Sequence, residues 1–123
     1  YFKRINSYIN FSIIYSNNSK TLDEKVKSLR KKKCLIFLLD EKGIEYNSLK
    51  FSSFIEKKIY SGINNITFII GDHSGFSKFI TDNFNNKISL SKMTFSHQMT
   101  RLFFCEQLYR AFTIIKNHPY HNN

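Results

Sequence analysis

The C-terminal part of the chain collects the side chains that are best suited to acid–base chemistry. Glu106 and Arg110 stand four residues apart in an apolar segment, and the closing "NHPYHNN" holds His118, Tyr120 and His121. Residues four apart share one face of a helix, so the first two are predicted to form an ion pair. An ion pair among apolar neighbours costs desolvation, so its presence indicates a function as readily as a structural role. The side chains of the tail suit proton transfer, metal ligation or stacking on a base.

The histidines also suggest a metal site, with His97 as a further ligand and a metal-dependent hydrolase as the corresponding function. However, Pro119 stops a helix, so His118 and His121 do not reproduce the helical pair that binds zinc. No cluster of cysteines or carboxylates stands ready to complete a tetrahedral site. We therefore expect no metal.

The elements that must position these residues alternate along the chain. Apolar runs without alternation indicate strands buried on both faces, at "KCLIFLLD", "NITFIIG" and "KISLS", and a further strand is predicted at "NFSIIYS", residues 10–16. Helices are predicted in "YFKRINSYI", in "SKTLDEKVKSLRKKK", from a cap at Ser48 to a stop at Gly62, from Phe76 to about Asn83, and from His97 to Ile115. This order predicts one α/β domain over residues 1–123, with a parallel sheet flanked by helices.

Ligands of parallel α/β sheets bind beyond the carboxyl ends of the strands. Three stretches follow strands in this way: "LDEKG" at 39–43, "GDHSG" at 71–75 and "SKMTFS" at 91–96. The glycines of "GDHSG" let backbone N–H groups approach an anion or another ligand, although a tight turn explains them equally well. These three stretches are the predicted ligand loops.

Composition and charge restrict the class of protein. A hydrophobic content of 41% with 13 phenylalanines argues against disorder, and the apolar run "CLIFLL" is too short to span a membrane, so a soluble intracellular protein is expected. The two cysteines stand in apolar stretches, which indicates buried thiols rather than a disulfide. The net charge of +10 favours a polyanion such as nucleic acid as partner. An AT-rich genome, whose proteins are rich in lysine, would explain the same positive charge without such a partner.

The last predicted helix is apolar around nearly its whole circumference, and such a helix must be buried on more than one side. In so small a domain, a second copy of the chain is the expected cover. The apolar positions are Leu102, Phe103, Phe104, Cys105, Leu108, Tyr109, Ala111, Phe112, Ile114 and Ile115.

The run "FIIGDHSGFS" together with "ISLSKMTFSHQMTRLFFCEQLYRAFTIIKNHPYH" closely resembles the RlmH family, SPOUT-class methyltransferases of large-subunit ribosomal RNA. The stretches "SLSKMTF", "EQLYRAF" and "NHPYH" recur in that family almost as they stand. A weaker match through "FLLDEKG" to "YFKRINSYINFSII" extends the resemblance over essentially the whole chain. It implies a parallel α/β fold with a deep C-terminal trefoil knot and a homodimer. It also implies S-adenosylmethionine as cofactor, transfer of methyl to N3 of a pseudouridine in the assembled ribosome, and a place in the cytoplasm, or in an organelle of a eukaryotic host.

The resemblance also implies roles for single residues. Glu106 and Arg110 would lie beside the cofactor methyl, and the tail would fold over the cofactor of one or the other subunit. His118 or His121 would assist proton removal or hold phosphate, and Tyr120 would stack on a base, with the identity of the base catalyst left open. The cofactor would lie against backbone groups of the three loops, with Leu39 and Met93 on either side of the adenine. The implied cofactor-binding residues are Leu39, Asp40, Gly71, Asp72, Gly75, Ser91, Lys92, Met93, Thr94, Phe95 and Ser96.

This chain departs from the family pattern at two positions. Asp72 stands where the family has a second glycine after Gly71, and Ser96 stands where the family has proline. Three alternatives are open for Asp72: its side chain points away from the cofactor, hydrogen-bonds the ribose of the cofactor, or obstructs the cofactor. If it obstructs the cofactor, the protein would be a catalytically silent relic that still binds RNA or the ribosome. Because family members begin with a strand and half a helix that would precede Tyr1, a segment upstream of this residue is expected. The basic run from Lys25 to Lys33 is a candidate contact for ribosomal RNA phosphates, or simply a solvated helix face.

Overall fold

The computed structural model describes residues 1–13, 18–30, 34–63, 65–71 and 75–121. From Ser19 onward, helices and strands alternate in these ranges as the sequence predicts. The helices and strands are α1 (Phe2–Asn6), α2 (Ser19–Arg30), β1 (Leu35–Glu45), α3 (Ser48–Tyr60), β2 (Ile66–Ile70), α4 (Lys78–Asn83), β3 (Lys87–Ser89) and α5 (His97–Ile115). Among the helices described, none combines the length and apolar character needed to cross a membrane.

The three strands form one parallel sheet in the order β2-β1-β3. The central strand β1 buries side chains on both faces because successive residues of a strand point to opposite sides. Phe37 and Leu39 join a core cluster with α1, α3 and α5, whereas Ile36 and Leu38 join a second cluster with α2 and α4. The sheet is therefore the middle of three layers, as the continuous apolar run of β1 indicates. This confirms the predicted parallel α/β architecture with flanking helices.

Strand β1 is longer than predicted, because "LDEKG" is part of it rather than a loop beyond it. Its pairing with β3 is interrupted between Leu39 and Ile44, and both residues are paired with Ile88. A Cβ atom on Gly43 would lie 2.6 Å from the backbone nitrogen of Ile88. Glycine at this position is therefore what allows β1 to return to β3 after the interruption.

Two other local predictions are wrong. Residues 10–13 are not a strand, since the N–H of Phe11 binds the side-chain oxygen of Asn6 rather than a neighbouring strand; the rest of "NFSIIYS" lies outside the described residues. The cap of α3 is Asn47, whose side chain accepts a hydrogen bond from the N–H of Lys50, and Ser48 is the first residue of the helix. Its hydroxyl is thereby available for a different contact.

Helix α5 has the predicted bounds and packs along α3 and α1. Its buried residues lie between Phe104 and Thr113 and include Leu108 and Phe112. At its N-terminal end Met99 and Leu102 are 48% and 49% exposed. Part of the apolar circumference is therefore uncovered in a single chain.

The cysteines behave as the sequence predicts. Cys34 and Cys105 are free and half-buried, and Cys34 Sγ lies 2.9 Å from Thr67 Oγ1. Burial raises the pKa of the Cys105 thiol, so this thiol stays protonated at neutral pH.

Candidate functional site

The three predicted ligand stretches lie at one edge of the sheet, beyond the ends of β2 and β3 and at the interruption in β1. Gly71 follows β2, Leu39 and Asp40 end the first paired stretch of β1, and residues 91–96 follow β3. Because β1 lies between the other two strands, the three stretches are neighbours at this edge. This is the position at which parallel sheets bind ligands.

The glycine loop brings backbone close to backbone. A Cβ on Gly71 would lie 3.3 Å from the carbonyl carbon of Gly75 and 3.2 Å from the ring of Phe76. Gly75 has a φ of 83°, in the region that favours glycine, and nothing lies within 4 Å of the Cβ that it lacks. The prediction for Asp72 falls on a residue outside the described ranges.

The loop after β3 is held by its own side chains. Ser89 Oγ donates to the carbonyl of Ser91, and Ser91 Oγ accepts from the N–H of Met93 at 3.0 Å. Thr94 donates to Glu41 Oε2 at 2.6 Å, which ties this loop to the interruption in β1.

The end of this loop is anchored on α5. Ser96 caps the helix by accepting from the N–H of Met99, so serine replaces the family's proline with an ordinary helix cap. Phe95 packs edge-on against Phe103 with ring centroids 5.1 Å apart. These contacts thus link the loop after β3 to the interruption in β1 and to α5.

The other predicted cofactor residues differ in accessibility. Asp40 accepts from the N–H of Lys42 at 2.9 Å and lies 4.0 Å from the ammonium group of Lys87. Leu39 is 8% exposed and belongs to the core, whereas Met93 is 74% exposed and Lys92 is also exposed. In a single chain Met93 is therefore accessible to solvent, whereas the side chain of Leu39 is almost fully buried.

Glu106 and Arg110 form the predicted ion pair on one face of α5. Arg110 Nη2 and Nε donate to Glu106 Oε1 at 2.8 and 3.1 Å, and the two side chains are 25% and 17% exposed, in the order Arg110 and Glu106. Partial burial strengthens such a charge-assisted pair, whereas exposed pairs contribute little. The carboxylate thus has a fixed orientation.

The C-terminal tail folds back onto this pair. Asn117 adopts a φ of 57° after the end of α5, and the N–H of His118 reaches the carbonyl of Thr113, which closes the helix and reverses the chain. Tyr120 then donates to Glu106 Oε1 at 3.1 Å. The tail therefore contacts α5 of its own chain.

Arg110 contacts two adjacent residues of the tail, Tyr120 and His121. Its guanidinium lies 4.8 Å from the centroid of the Tyr120 ring, and its Nη1 lies 2.9 Å from His121 Nδ1. A guanidinium only donates, so Nδ1 is the acceptor and the proton of the neutral ring is on Nε2. Four of the five predicted catalytic residues therefore form one cluster, while His118 is exposed and outside it.

Tyr120 is held in its protonated form. Its hydrogen bond with Tyr1, its partial burial and its contact with Glu106 raise the pKa of Tyr120 to about 12. At neutral pH it is a hydrogen-bond donor, so it does not act as a base.

A pocket of about 390 Å³ opens beside the cluster, between the start of α3, the end of β3 and α5. Its walls combine aromatic and aliphatic side chains with polar ones. The lining residues are Tyr46, Asn47, Ser48, Phe51, Ile88, Ser89, Leu90, Phe95, Phe103, Glu106 and Gln107. An apolar cavity with a few convergent polar groups is the usual form of a small-molecule site.

Three of the polar residues at this site escaped sequence reasoning. Glu41 contacts the loop after β3, and Ser48 and Gln107 contact each other at the pocket. Gln107 stands beside Glu106 in "EQLYRAF", so its place in the motif was the available signal. Nothing in the spacing indicated the partner of Glu41, which is distant in sequence.

The basic helix α2 has aromatic partners. Lys27 lies 4.8 Å from the centroid of Phe79, and Arg30 donates to Asn83 and lies 5.8 Å from the centroid of Phe84. The following lysines of the run, residues 31–33, lie outside the described residues. In the described part of the run, Lys27 and Arg30 of α2 therefore lie against aromatic rings in and directly after α4.

No group of three or more histidine, cysteine or acidic side chains that could hold a metal ion occurs within the described ranges. His97 is the exposed first residue of α5, whereas His121 contacts Arg110. The hydrolase alternative has no support from the arrangement of these residues.

Comparison with known proteins gives a consistent result. Residues 1–121 match the family described as "Predicted SPOUT methyltransferase". The chain is 43% identical to ribosomal RNA large subunit methyltransferase H of Christiangramia forsetii, with 99% of this chain and 85% of the relative covered. It is 44% identical to the proteins of the same name from Flavobacterium psychrophilum and Cytophaga hutchinsonii, with 99% of this chain covered in each case and 85% and 86% of the relatives. The chain belongs to the SPOUT methyltransferase family.

Proposed function

We propose that the protein is an S-adenosylmethionine-dependent methyltransferase that methylates N3 of a pseudouridine in large-subunit ribosomal RNA. The observation that carries this proposal is the Glu106-centred cluster, in which Glu106 also lines a pocket with aromatic walls in a chain of this family. The name shared by its relatives, ribosomal RNA large subunit methyltransferase H, supports the substrate class. The choice of atom and nucleotide follows from the resemblance of the motifs.

The edge of the sheet fits the adenosine part of the cofactor. Nothing lies within 4 Å of the Cβ that Gly75 lacks, so its backbone is accessible, and Leu90 and Phe95 supply apolar surface on the neighbouring loop. Such a surface suits a flat heterocycle whose edge is bound by backbone groups. When bound, S-adenosylmethionine supplies an electrophilic methyl group on its sulfonium.

The chain's own residues orient the acceptor base and receive its proton. Methylation of N3 replaces the N3 proton, so a protein group must accept that proton. Tyr120 remains protonated, and Glu106 Oε1 already accepts from three donor groups of Arg110 and Tyr120. Glu106 Oε2 binds only Gln107 among the described residues and is therefore the acceptor that we assign to the N3 proton.

The proposal includes a homodimer with a trefoil knot in each chain. The exposed residues Met99, Leu102 and Phe103 form an apolar surface at the start of α5, beside the pocket that Phe103 lines. Association through this surface removes it from water and gives α5 its second cover. The knot is proposed from the family alone.

The proposed partner is ribosomal RNA in the assembled ribosome, in the bacterial cytoplasm or in an organelle. The net charge of +10 and the cations Lys27 and Arg30 on α2 suit phosphate contacts. Binding to ribosomes should therefore weaken steeply as salt rises.

Calorimetry with S-adenosylmethionine, paired with a ribosome-binding assay, separates this enzyme from the silent relic. We expect micromolar binding of the cofactor by the folded protein and binding to ribosomes. A folded protein that binds ribosomes without binding the cofactor would establish the relic instead. Asp72→Gly should then restore cofactor binding if the charge of Asp72 is the obstruction.

A further inference from the structure

The side chain of Gln107 is fixed at both ends. Its Oε1 accepts from Ser48 Oγ at 2.7 Å, and its Nε2 donates to Glu106 Oε2 at 2.9 Å. A carboxylate only accepts, so the opposite orientation of the amide would place two acceptor oxygens against each other. The orientation of the amide is therefore set by its neighbours.

Each end of the amide keeps one hydrogen-bonding position. A carboxamide has two N–H donors and two lone pairs on oxygen, and within the described part of the chain Gln107 uses one of each. Gln107 and Glu106 both line the pocket. Three atoms can therefore bind a ligand in order: Gln107 Oε1 as an acceptor, Gln107 Nε2 as a donor and Glu106 Oε2 as an acceptor.

A ligand that complements these three atoms presents a donor, an acceptor and a donor along one edge. Pseudouridine has this edge in N1–H, the C2 carbonyl and N3–H. Uridine does not, because its N1 carries the ribose and has no hydrogen. With N1–H on Gln107 and N3–H on Glu106, the nitrogen to be methylated lies beside the carboxylate.

We propose that Gln107, oriented by Ser48, is the residue that distinguishes pseudouridine from uridine, by binding N1–H and the C2 carbonyl of the base. This inference rests on the proposed function and adds the group that determines its specificity. The pocket is large enough for one base, and the rings of Tyr46 and Phe103 among its walls suit stacking on a flat heterocycle. A buried acceptor that loses its N–H partner is costly, which makes uridine a poor substrate.

The test compares methyl transfer to ribosomes that carry pseudouridine at the target with transfer to ribosomes from a strain that lacks the corresponding pseudouridine synthase. Gln107→Met keeps the length and volume of the side chain and removes both polar ends. We expect its kcat/KM for pseudouridine ribosomes to fall roughly 10- to 100-fold, and its kcat/KM for uridine ribosomes to fall less, because uridine keeps a carbonyl and N3–H at these positions but has C5–H in place of N1–H. Ser48→Ala, which only frees the amide to rotate, should give a smaller change in the same direction.

A matched control is Gln98→Met, at an exposed glutamine in the first turn of the same helix. It should leave the ratio of the two substrates unchanged. Calorimetry with S-adenosylmethionine checks that each variant is folded and binds the cofactor.

Three outcomes would overturn the inference. An equal loss on both substrates would make Gln107 a structural residue. A loss of cofactor affinity in Gln107→Met would place the cofactor rather than the base against Gln107. Equal use of both substrates by the unaltered protein would show that it makes no such distinction, whereas failure to methylate either would contradict the proposed function itself.

Discussion

Removing the hydroxyl of Tyr120 tests whether the tail is docked on the Glu106–Arg110 pair. Tyr120→Phe keeps the ring, and with it the contacts to Tyr109 and to Arg110, whose distances to the ring centroid are both 4.8 Å. It removes the hydrogen bond to Glu106 Oε1 and the hydrogen bond with Tyr1. The change therefore isolates the contacts of the hydroxyl group, which hold the tail to α5 and to the first residue of the chain.

The size of the effect follows from the surroundings of the carboxylate. A hydrogen bond to a charged group contributes about 1.5–3 kcal/mol to stability. Glu106 keeps its two hydrogen bonds from Arg110 and is partly exposed, which places the loss at the lower end. We expect the free energy of unfolding to fall by about 1.5 kcal/mol, and the Tm by roughly 6 °C.

The effect should depend on pH. The pKa of Tyr120 is about 12 in the folded protein, above the value of about 10 in an unfolded chain. The folded state therefore binds this proton more tightly, so the stabilisation is complete below pH ~10 and is lost as the pH rises from 10 to 12. The difference between the unaltered protein and Tyr120→Phe should accordingly shrink over that interval.

Urea unfolding at pH 8 and at pH 11, at one protein concentration, measures both effects. The control is Tyr60→Phe, at a tyrosine that is 76% exposed, which should change stability by less than about 0.5 kcal/mol. Equal stability of Tyr120→Phe and the unaltered protein at pH 8 would refute the docked tail. A difference that stays constant with pH would refute the assignment of the raised pKa.

Three further changes test separate parts of the structure. Gly43→Ala adds a Cβ 2.6 Å from the backbone of Ile88 and Lys87, so it should lower the free energy of unfolding by about 2–3 kcal/mol; an unchanged urea midpoint would contradict the close approach of the strands. Leu102→Glu places a charge on the apolar surface of α5 and should give a monomer in analytical ultracentrifugation, whereas a persistent dimer would locate the interface elsewhere. Asn117→Ala puts a less tolerant residue at a φ of 57° and should cost about 1 kcal/mol in the same urea assay, and no loss would show that this turn is not required for stability.

The sequence was sufficient for the elements whose signals are local. The bounds of α5 follow from the cap at Ser96 and from the apolar run, and its ion pair follows from the spacing of Glu106 and Arg110. The burial of β1 on both faces follows from the absence of alternation. In these cases the residues that determine the structure are neighbours in the chain.

Features that depend on distant partners could not be predicted. The interruption of β1 is set by how closely Gly43 approaches β3, and Glu41 meets Thr94 only because both strands end at the same edge. The cap of α3 moved by one residue because Asn47, in extended backbone, accepts from Lys50 while Ser48 turns to Gln107. In the site, the pair of Glu106 with Arg110 was predicted from its spacing, whereas the contacts of the tail with this pair and the hydrogen bonds of the Gln107 amide at the pocket required coordinates.

The most direct test of the proposed activity is mass spectrometry of nucleosides from large-subunit ribosomal RNA, after incubation of ribosomes with the protein and S-adenosylmethionine. We predict one new methylated nucleoside, a pseudouridine with the methyl group on N3, and its absence when Glu106→Ala replaces the unaltered protein. A methyl group on another nucleoside or on ribose, or none with folded protein that binds the cofactor, would contradict the proposal.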